Sequence, residues 1–328
     1  MIELIAPVGG SKIDWPARWE ASDEAQAIRD RIDAVSSKHK EATTTASETR
    51  SAFASSFVTQ TTELTKRQFR AQWRDGPYHL TKLASLVFFG MFVGFFFYKL
   101  ANTIAGIEGL TLSLLVLIQS AAPLMLDIAL YYQAKMDIYI GRERNGIYSW
   151  TALVTSLLIC ELPVLLVGYS LMFFCYNWTE GIGGRAENGG LTWLVWMSYA
   201  VFTATSGTLL GAVSPSPFSV PFVLSLVWNI YNALSWTLVP HPIMVEPFHS
   251  FFSWISPLRW YLGALVPNQI GPLTVTCAED ELTRFDIPAT AASCAEYAAE
   301  FLSTAAGYLA NPDATSNCGY CAMSKGSD

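Results

Sequence analysis

The chain has 328 residues, of which 52% are hydrophobic, 13% aromatic and only 14% charged. Soluble domains average about 25% charged residues, so this composition excludes a disordered, coiled-coil or collagen-like chain and indicates a membrane protein. The net charge of −7 also excludes the basic surface that binding to nucleic acid requires.

The charged residues divide the chain into three regions. Residues 1–82 contain 12 basic and 11 acidic side chains, residues 83–271 contain 6 and 8, and residues 272–328 contain 2 and 8. This distribution predicts a polar N-terminal segment, a long apolar block and an acidic tail.

Residues 1–50 are predicted to be a cytoplasmic linker. No basic region followed by an apolar run opens the chain, so a signal peptide is not expected. Apolar residues at helical spacing predict a short helix from Asp23 to Lys38, with Ser22 as its cap. The polar stretch 41–48 is predicted to be a flexible linker.

Residues 51–82 are predicted to contain an amphipathic helix at the cytoplasmic face of the membrane. Phe57, Phe69 and Trp73 alternate there with basic residues such as Arg67 and Arg70, and an apolar run follows directly. An ordinary surface helix is the alternative. The Gly76-Pro77 pair is expected to end this helix.

The apolar block 83–271 is predicted to be an all-α membrane domain, a polytopic bundle of about five transmembrane helices. A helix needs about 20 mostly apolar residues to cross the hydrocarbon core. The predicted spans are residues 83–100, 110–132, 150–176, 191–213 and 218–239. Residues 251–266 are shorter and contain Pro257 and Arg259, so they predict a re-entrant helix.

The basic residues predict the orientation of this bundle. They concentrate before the first span and in the loop 133–149, which places the N-terminus and that loop in the cytoplasm. Five crossings then place the C-terminus outside. Asn177 begins an Asn-Trp-Thr glycosylation sequence in a position predicted to be near the outer surface.

Residues 272–328 are predicted to form an extracellular, disulfide-bearing loop. Four cysteines in this acidic segment are typical of an oxidising compartment, and no histidine lies nearby to complete a zinc site. Three pairings are open. The cysteines are Cys277, Cys294, Cys318 and Cys321.

Polar residues inside the predicted spans are candidates for function, because intramembrane charge is costly. Glu161 lies two residues before Pro163, which favours a conformational hinge or substrate path. A structural bond to a neighbouring helix is an equally good interpretation. An intramembrane enzyme using Asp127 and Glu161 is a weaker hypothesis, since no nucleophile–base or metal-ligand spacing supports it.

Two Gly-x-x-x-Gly patterns, at Gly90/Gly94 and Gly207/Gly211, predict close helix contact. The contact is expected either within the chain or, less often, at a subunit interface. The charged segment 141–150 lies between two long predicted helices and is expected to be a cytoplasmic elbow on which a soluble motor domain acts.

The sequence resembles the second transmembrane half of fungal pleiotropic drug resistance transporters, in the G subfamily of ABC transporters with an ABC-2 type membrane domain. Five segments carry the resemblance: SKIDWPARWEAS (11–22), RQFRAQWRDGPYHLTKL (67–83), GRERNGIYSWTALVTSLLICELP (141–163), SPLRWYLGALV (256–266) and the cysteine-bearing run 277–321. They resemble, in turn, the linker, elbow helix, coupling loop, re-entrant helix and external loop of that family.

The resemblance implies alternating access driven by ATP, with hydrophobic drugs or lipids as substrates. The coupling loop would use Arg142, Glu143, Arg144 and Tyr148, and the cavity would be lined by Gln119, Trp228 and Asn229. ATP and Mg²⁺ would bind to nucleotide-binding domains outside this chain, so the chain itself is expected to be no enzyme and to hold no cofactor.

The expected partners are those nucleotide-binding domains, a first transmembrane half and the lipid bilayer, and the expected location is the plasma membrane. Such a half normally has a sixth crossing after the cysteine loop, so the chain is expected to be truncated. The alternative is a fragment that transports nothing and acts as a membrane scaffold or as a regulator of complete transporters.

Overall fold

A computed structural model of the protein describes residues 14–45, 53, 55–144, 146–180, 189–235, 251–288 and 291–327. The chain divides into two compact units, residues 1–54 and 55–328. Among the described residues of the first unit are two helices, α1 (Trp15–Glu20) and α2 (Asp23–Thr45).

Helix α2 starts where the sequence predicts and ends later. The Ala25 amide donates a hydrogen bond of 3.3 Å to the Ser22 hydroxyl, which caps the helix as expected. The predicted end at Lys38 is wrong, because the helix continues to Thr45. The flexible linker predicted for 41–48 is therefore helical over 41–45, and its remaining residues lie outside the described part of the chain.

The second unit is a helical bundle with a small lobe. Its helices are α3 (Phe57–Arg74), α4 (Gly76–Phe96), α5 (Ile104–Ile118), α6 (Ala121–Ile138), α7 (Trp150–Glu180), α8 (Gly189–Val213), α9 (Val220–Ala233), α10 (Ser253–Ile255) and α11 (Pro257–Gln269). A π-helical turn, Tyr139–Glu143, extends α6. The helical bundle predicted from the sequence is confirmed.

Several helix boundaries differ from the predicted spans, and the start of the first span and a break in the second are the clearest differences. Pro77 occupies the first turn of α4, where its missing amide proton and fixed φ are tolerated, so α4 begins seven residues before the predicted span at residue 83. The predicted second span, 110–132, is divided between α5 and α6 by a break at Gln119 and Ser120. The end of the predicted fifth span, residues 236–239, lies outside the described residues.

Side-chain and backbone contacts give the direction of each helix. Helices α4 and α7 run parallel, because Lys82 meets Glu161 and Gly90 meets Met172. Helix α8 runs antiparallel to α7, since the Tyr169 hydroxyl bonds Thr203 while Ser170 bonds Trp193 farther back along α8. Helix α9 runs antiparallel to the α5–α6 pair, since Val220 packs with Ala129 while Asn232 is bonded to Gln119. The described residues therefore pass along the bundle five times, through α4, the α5–α6 pair, α7, α8 and α9.

Three helical stretches in the described part of the chain are long and apolar enough to cross a membrane: Gly76–Phe96, Ile104–Glu143 and Trp150–Glu180. Helix α8 is also long, with 25 residues, and contains no charged side chain. Helix α9 is a shorter apolar helix. Together they share one apolar core in which Leu114, Leu117, Leu165, Tyr169 and Trp196 are almost completely buried.

The lobe, residues 272–327, contains a sheet that the sequence analysis did not predict. Strand β1 (Thr283–Phe285) and strand β2 (Tyr308–Leu309) pair antiparallel with the central strand β3 (Cys318–Cys321). Helix α12 (Cys294–Thr304) packs beside them. The Thr276 amide donates to the Asn102 carbonyl at 2.8 Å, so the lobe is attached where α4 ends and α5 begins.

Candidate functional site

The elbow helix α3 presents two unlike faces. Its buried residues are Gln60, Leu64, Gln68 and Gln72, spaced four apart along one stripe that packs on α7. Phe69 and Trp73, whose rings stack at 6.1 Å, remain exposed. The side that contacts protein is thus largely polar and the aromatic side is exposed, and the position of this helix at the membrane surface stays a prediction.

An ion pair joins the elbow helix to the charged segment after α6. The Arg67 guanidinium donates two parallel hydrogen bonds, of 3.0 and 3.1 Å, to the Glu143 carboxylate. It also donates to the Tyr148 hydroxyl at 3.1 Å, and that hydroxyl donates to Glu143. We call these three residues the elbow latch. Bidentate pairs of this kind fix orientation as well as distance.

The environment of the elbow latch keeps its groups in the charge states that these bonds require. Burial and the neighbouring Glu143 carboxylate raise the pKa of Tyr148 to about 12, so its hydroxyl remains a donor at neutral pH. Burial lowers the pKa of Arg67, but the bonds to Glu143 and Tyr148 outweigh it and raise that pKa overall.

Only two of the four predicted coupling residues take part in the elbow latch. Glu143 and Tyr148 belong to the elbow latch, whereas Arg142 and Arg144 are exposed beside it. Sequence reasoning missed Arg67 as a partner, and it also missed Gln60, whose side-chain oxygen accepts from the Ser149 amide at 2.9 Å. The four-residue spacing of the buried glutamines in α3 is the signal that points to a protein-facing stripe.

A second charged cluster lies inside the bundle, where α4 passes α7. The Lys82 ammonium is 2.7 Å from the Glu161 carboxylate, and both side chains are almost completely buried. Tyr78 donates to Glu161 at 2.6 Å and Gln72 donates to it at 3.2 Å. The Lys82 nitrogen also lies 3.7 Å from the centre of the Tyr78 ring.

These bonds connect Glu161 to helices α3 and α4. They are the structural bonds to neighbouring helices that the sequence analysis gives as the alternative to a hinge. Pro163 lies within α7, which is continuous from Trp150 to Glu180. A hinge at this position stays a prediction.

The predicted cavity residues are partly brought together. The Trp228 indole donates to the Gln119 side-chain oxygen at 2.6 Å, and the Gln119 nitrogen donates to Asn232 at 2.8 Å. Asn229 is exposed and donates to the Ser225 carbonyl of its own helix. Asn232, one helical turn after Trp228, is thus the polar partner that the sequence analysis missed.

Both Gly-x-x-x-Gly patterns pack within the chain. Gly90 and Gly94 lie against Met172, Tyr176 and Thr179 of α7. Gly207 and Gly211 lie against residues Met125, Ile128, Ala129 and Tyr132 of α6. Asn177 lies within α7, where its side-chain nitrogen donates to the Phe173 carbonyl, and its glycosylation stays a prediction.

The four cysteines of the lobe form two disulfides, Cys277–Cys321 and Cys294–Cys318. This selects one of the three pairings that the sequence left open. The remaining cysteines, Cys160 and Cys175, are free and lie in α7.

Glu281 attaches the lobe to the bundle. Its carboxylate accepts hydrogen bonds from the amides of Ile104 and Ala105, the first residues of α5, and from Ala278. Such amides have no partner within the helix, and a negative charge is favoured there. The bonds from Ala105, Ala278 and Ile104 lower the pKa of Glu281 below its ordinary value of 4.5, against a smaller opposing effect of burial.

This lowered pKa predicts a pH dependence of stability. The contribution of Glu281 is complete above pH 4.5 and is lost as the pH falls through the lowered pKa, because the folded protein must then take up a proton. We expect Glu281→Gln to lower the thermal midpoint of unfolding at pH 7. The difference between the midpoints of the parent and the variant should become smaller below pH 4.5. Thermal unfolding in detergent measures it, with exposed Asp313→Asn as the control. A difference that is unchanged with pH would contradict this assignment.

Comparison with known proteins matches residues 59–270 to the ABC-2 type transporter model, which spans α3 to α11. The chain is 29% identical over 97% of its length to the ABC multidrug transporter atrF of Aspergillus fumigatus. It is 29% identical over 94% to the brefeldin A resistance protein of Schizosaccharomyces pombe, and 28% identical over 99% to ABC multidrug transporter C of A. fumigatus.

The chain spans about a fifth of the length of these relatives, namely 21–22% of each. The match to the family covers the elbow helix, the buried Lys82–Glu161 pair and all five passes of the bundle. The chain is an integral membrane protein and belongs to the ABC-2 type transporter family.

Proposed function

We propose that the chain is the membrane-spanning part of an ATP-driven exporter of hydrophobic compounds. The observation that carries the proposal is the elbow latch, in which Arg67, Glu143 and Tyr148 fasten the elbow helix to the charged end of α6. In this proposal, a force applied to residues 139–149 is passed to α3 and, through Gln72 and Glu161, to α4 and α7.

The energy comes from partner domains in this scheme. Nucleotide-binding domains bind ATP and Mg²⁺ and, on closing, press on the exposed Arg142 and Arg144 beside the latch. The remaining proposed partner is a first transmembrane half. Because α3, α4 and α7 are bonded to one another, they move together and switch the bundle between inward-open and outward-open states.

Substrates are proposed to contact a cluster of polar side chains between the end of α5 and α9. Gln119, Trp228 and Asn232 form a hydrogen-bonded set, and Trp228 also packs against the apolar core of the bundle. A few polar groups in an otherwise apolar site orient amphipathic ligands. Hydrophobic drugs and lipids share this chemistry. The proposed location is the plasma membrane, with the elbow latch facing the cytoplasm and the disulfide-linked lobe facing outward.

A chimera tests this function. The chain replaces the corresponding segment of the A. fumigatus transporter atrF, and loss of a hydrophobic dye such as Nile red from cells is measured with and without ATP depletion. We expect ATP-dependent efflux that disappears when the host's ATPase is inactivated. ATP-independent flux, or a correctly inserted chimera without efflux, would contradict the proposal. Inhibition of an intact transporter by the separately expressed chain would instead support the regulatory alternative.

Arg67→Ala in that chimera tests the elbow latch. We expect efflux to fall about fivefold while ATP hydrolysis continues, because coupling residues of this kind contribute on the order of 0.5–2 kcal/mol. Arg70→Ala on the exposed side of the same helix is the matched control and should leave efflux near the parent value. Equal effects of the two substitutions, or parallel losses of ATPase and efflux, would argue against a coupling role.

A further inference from the structure

The lobe contains an open groove between α12 and the three-stranded sheet. Its volume is about 660 Å³, within the range of about 300–1,000 Å³ that is usual for small-molecule sites. Four aromatic side chains line it, two from strands and two from the helix: Phe285, Tyr320, Tyr297 and Phe301. The proposed export mechanism does not involve this groove.

The aromatic side chains are arranged as two pairs around the groove. The rings of Phe301 and Tyr320 meet edge to face at 5.2 Å, and those of Phe285 and Tyr297 lie 6.2 Å apart. Tyr297 and Phe301 lie four residues apart, one helical turn, and each is more than half exposed. Exposed aromatic faces in a concave site favour a flat or aromatic apolar ligand.

The charge of the groove favours a cation. Glu300 lines it, and among the described residues no basic side chain is bonded to the Glu300 carboxylate. Residues 272–328 contain eight acidic and two basic side chains, and Arg284, one of the two, is paired with Glu279. A positive ligand would thus meet a carboxylate, aromatic faces and a negative surrounding field.

The frame of the groove is covalently fixed. The Cys294–Cys318 disulfide joins the start of α12 to β3, and the Cys277–Cys321 disulfide joins the other end of β3 to the start of the lobe. The Tyr320 hydroxyl donates to the Ala306 carbonyl, which holds its ring in place. A site held in this way loses little conformational entropy when a ligand binds.

We propose that this groove binds hydrophobic organic monocations. The aromatic pairs contact the apolar body of the ligand, and Glu300 lies near its positive charge. Binding requires neither ATP nor movement of the bundle, so its failure would be distinguishable from failure of the proposed export.

Tetraphenylphosphonium and tetraphenylborate, which have nearly the same shape and opposite charge, are the probes. Equilibrium binding is measured on the full chain in nanodiscs of neutral lipid, with empty nanodiscs subtracted. We expect saturable binding of the phosphonium and none of the borate. Equal binding of both ions, or no binding above empty nanodiscs, would overturn the proposal. If phosphonium binding is absent and Phe301→Ala changes the oligomeric state of the chain, a protein surface covers the groove and the proposal is wrong.

Variants locate the site. Glu300→Gln should weaken phosphonium binding about threefold, the range of an exposed ion pair, and Phe301→Ala about fivefold. Asp313→Asn removes the same charge from an exposed position that does not line the groove, and should bind as the parent does. Thiol labelling confirms that the disulfides of each variant are intact. Equal losses for Glu300→Gln and Asp313→Asn, or unchanged binding in both groove variants, would overturn the assignment.

Discussion

Glu161→Gln is expected to destabilise the bundle by about 3–5 kcal/mol, because it leaves the Lys82 ammonium buried without an opposite charge. Lys82→Met should cost a similar amount by leaving the Glu161 carboxylate uncompensated. Equilibrium unfolding in mixed detergent micelles measures both free energies. These are the largest single-residue effects that we expect, since both side chains are almost fully buried where α4 crosses α7.

A double-mutant cycle of Lys82→Met, Glu161→Leu and the double variant with both substitutions distinguishes a loss of charge balance from a loss of packing. Buried ion pairs often stabilise a protein little compared with apolar replacements of similar size, so we expect the double variant to be more stable than either single one. Double-mutant analysis then gives a large coupling energy between the two positions. Additive losses would show that the pair does not interact as described.

Gly90→Ala should destabilise the bundle by about 1–3 kcal/mol, the usual cost of overpacking. A β-carbon at Gly90 would lie 2.6 Å from the Met172 carbonyl oxygen and 3.0 Å from the Met172 α-carbon. Both atoms belong to the backbone of α7, so the clash can be relieved only by separating the two helices.

Gly263→Ala is the matched control, because it makes the same change within helix α11. A β-carbon there meets nothing within 4 Å. Alanine is favoured over glycine in a helix by about 1 kcal/mol, so this variant should be as stable as the parent or slightly more stable. The same unfolding assay compares the two, and a Gly90→Ala protein as stable as the Gly263→Ala protein would refute the close contact of α4 with α7.

Lys82 shows where sequence reasoning about the bundle succeeds and where it does not. Long apolar runs predict the helices, and the basic residues before the first span predict an orientation. Lys82 is the last of those flanking residues, but α4 begins at Gly76, about two turns before the predicted span, and this places Lys82 inside the bundle. Its partner, Glu161, is 79 positions away, and no local pattern connects them.

The disulfide pairing of the lobe is likewise only partly predictable from the sequence. Their number and acidic surroundings predict disulfides, but the pairing depends on a strand that is too short to recognise in the sequence. Cys318 and Cys321 are three residues apart in β3, and side chains three apart in a strand point to opposite faces. They consequently bond to different partners, Cys294 on α12 and Cys277 at the start of the lobe.

The family resemblance predicts three cavity residues, but the structure does not place all three on one face. Trp228 and Asn232 lie on the face of α9 that meets Gln119, whereas Asn229 lies on an exposed face. Helical spacing alone is enough to link Trp228 with Asn232. The break at Gln119 and Ser120, which places Gln119 at the end of α5, has no comparable sequence signal.

Sidedness labelling tests most directly whether the elbow latch and the lobe lie on opposite sides of the membrane. In a chain with Cys160→Ser and Cys175→Ser, a membrane-impermeant maleimide is applied to intact cells carrying either Arg142→Cys or Asp313→Cys. We predict that Asp313→Cys is labelled on intact cells, that Arg142→Cys is labelled only after permeabilisation, and that the parent stays unlabelled. Labelling of both positions from the same side would contradict the proposed exporter.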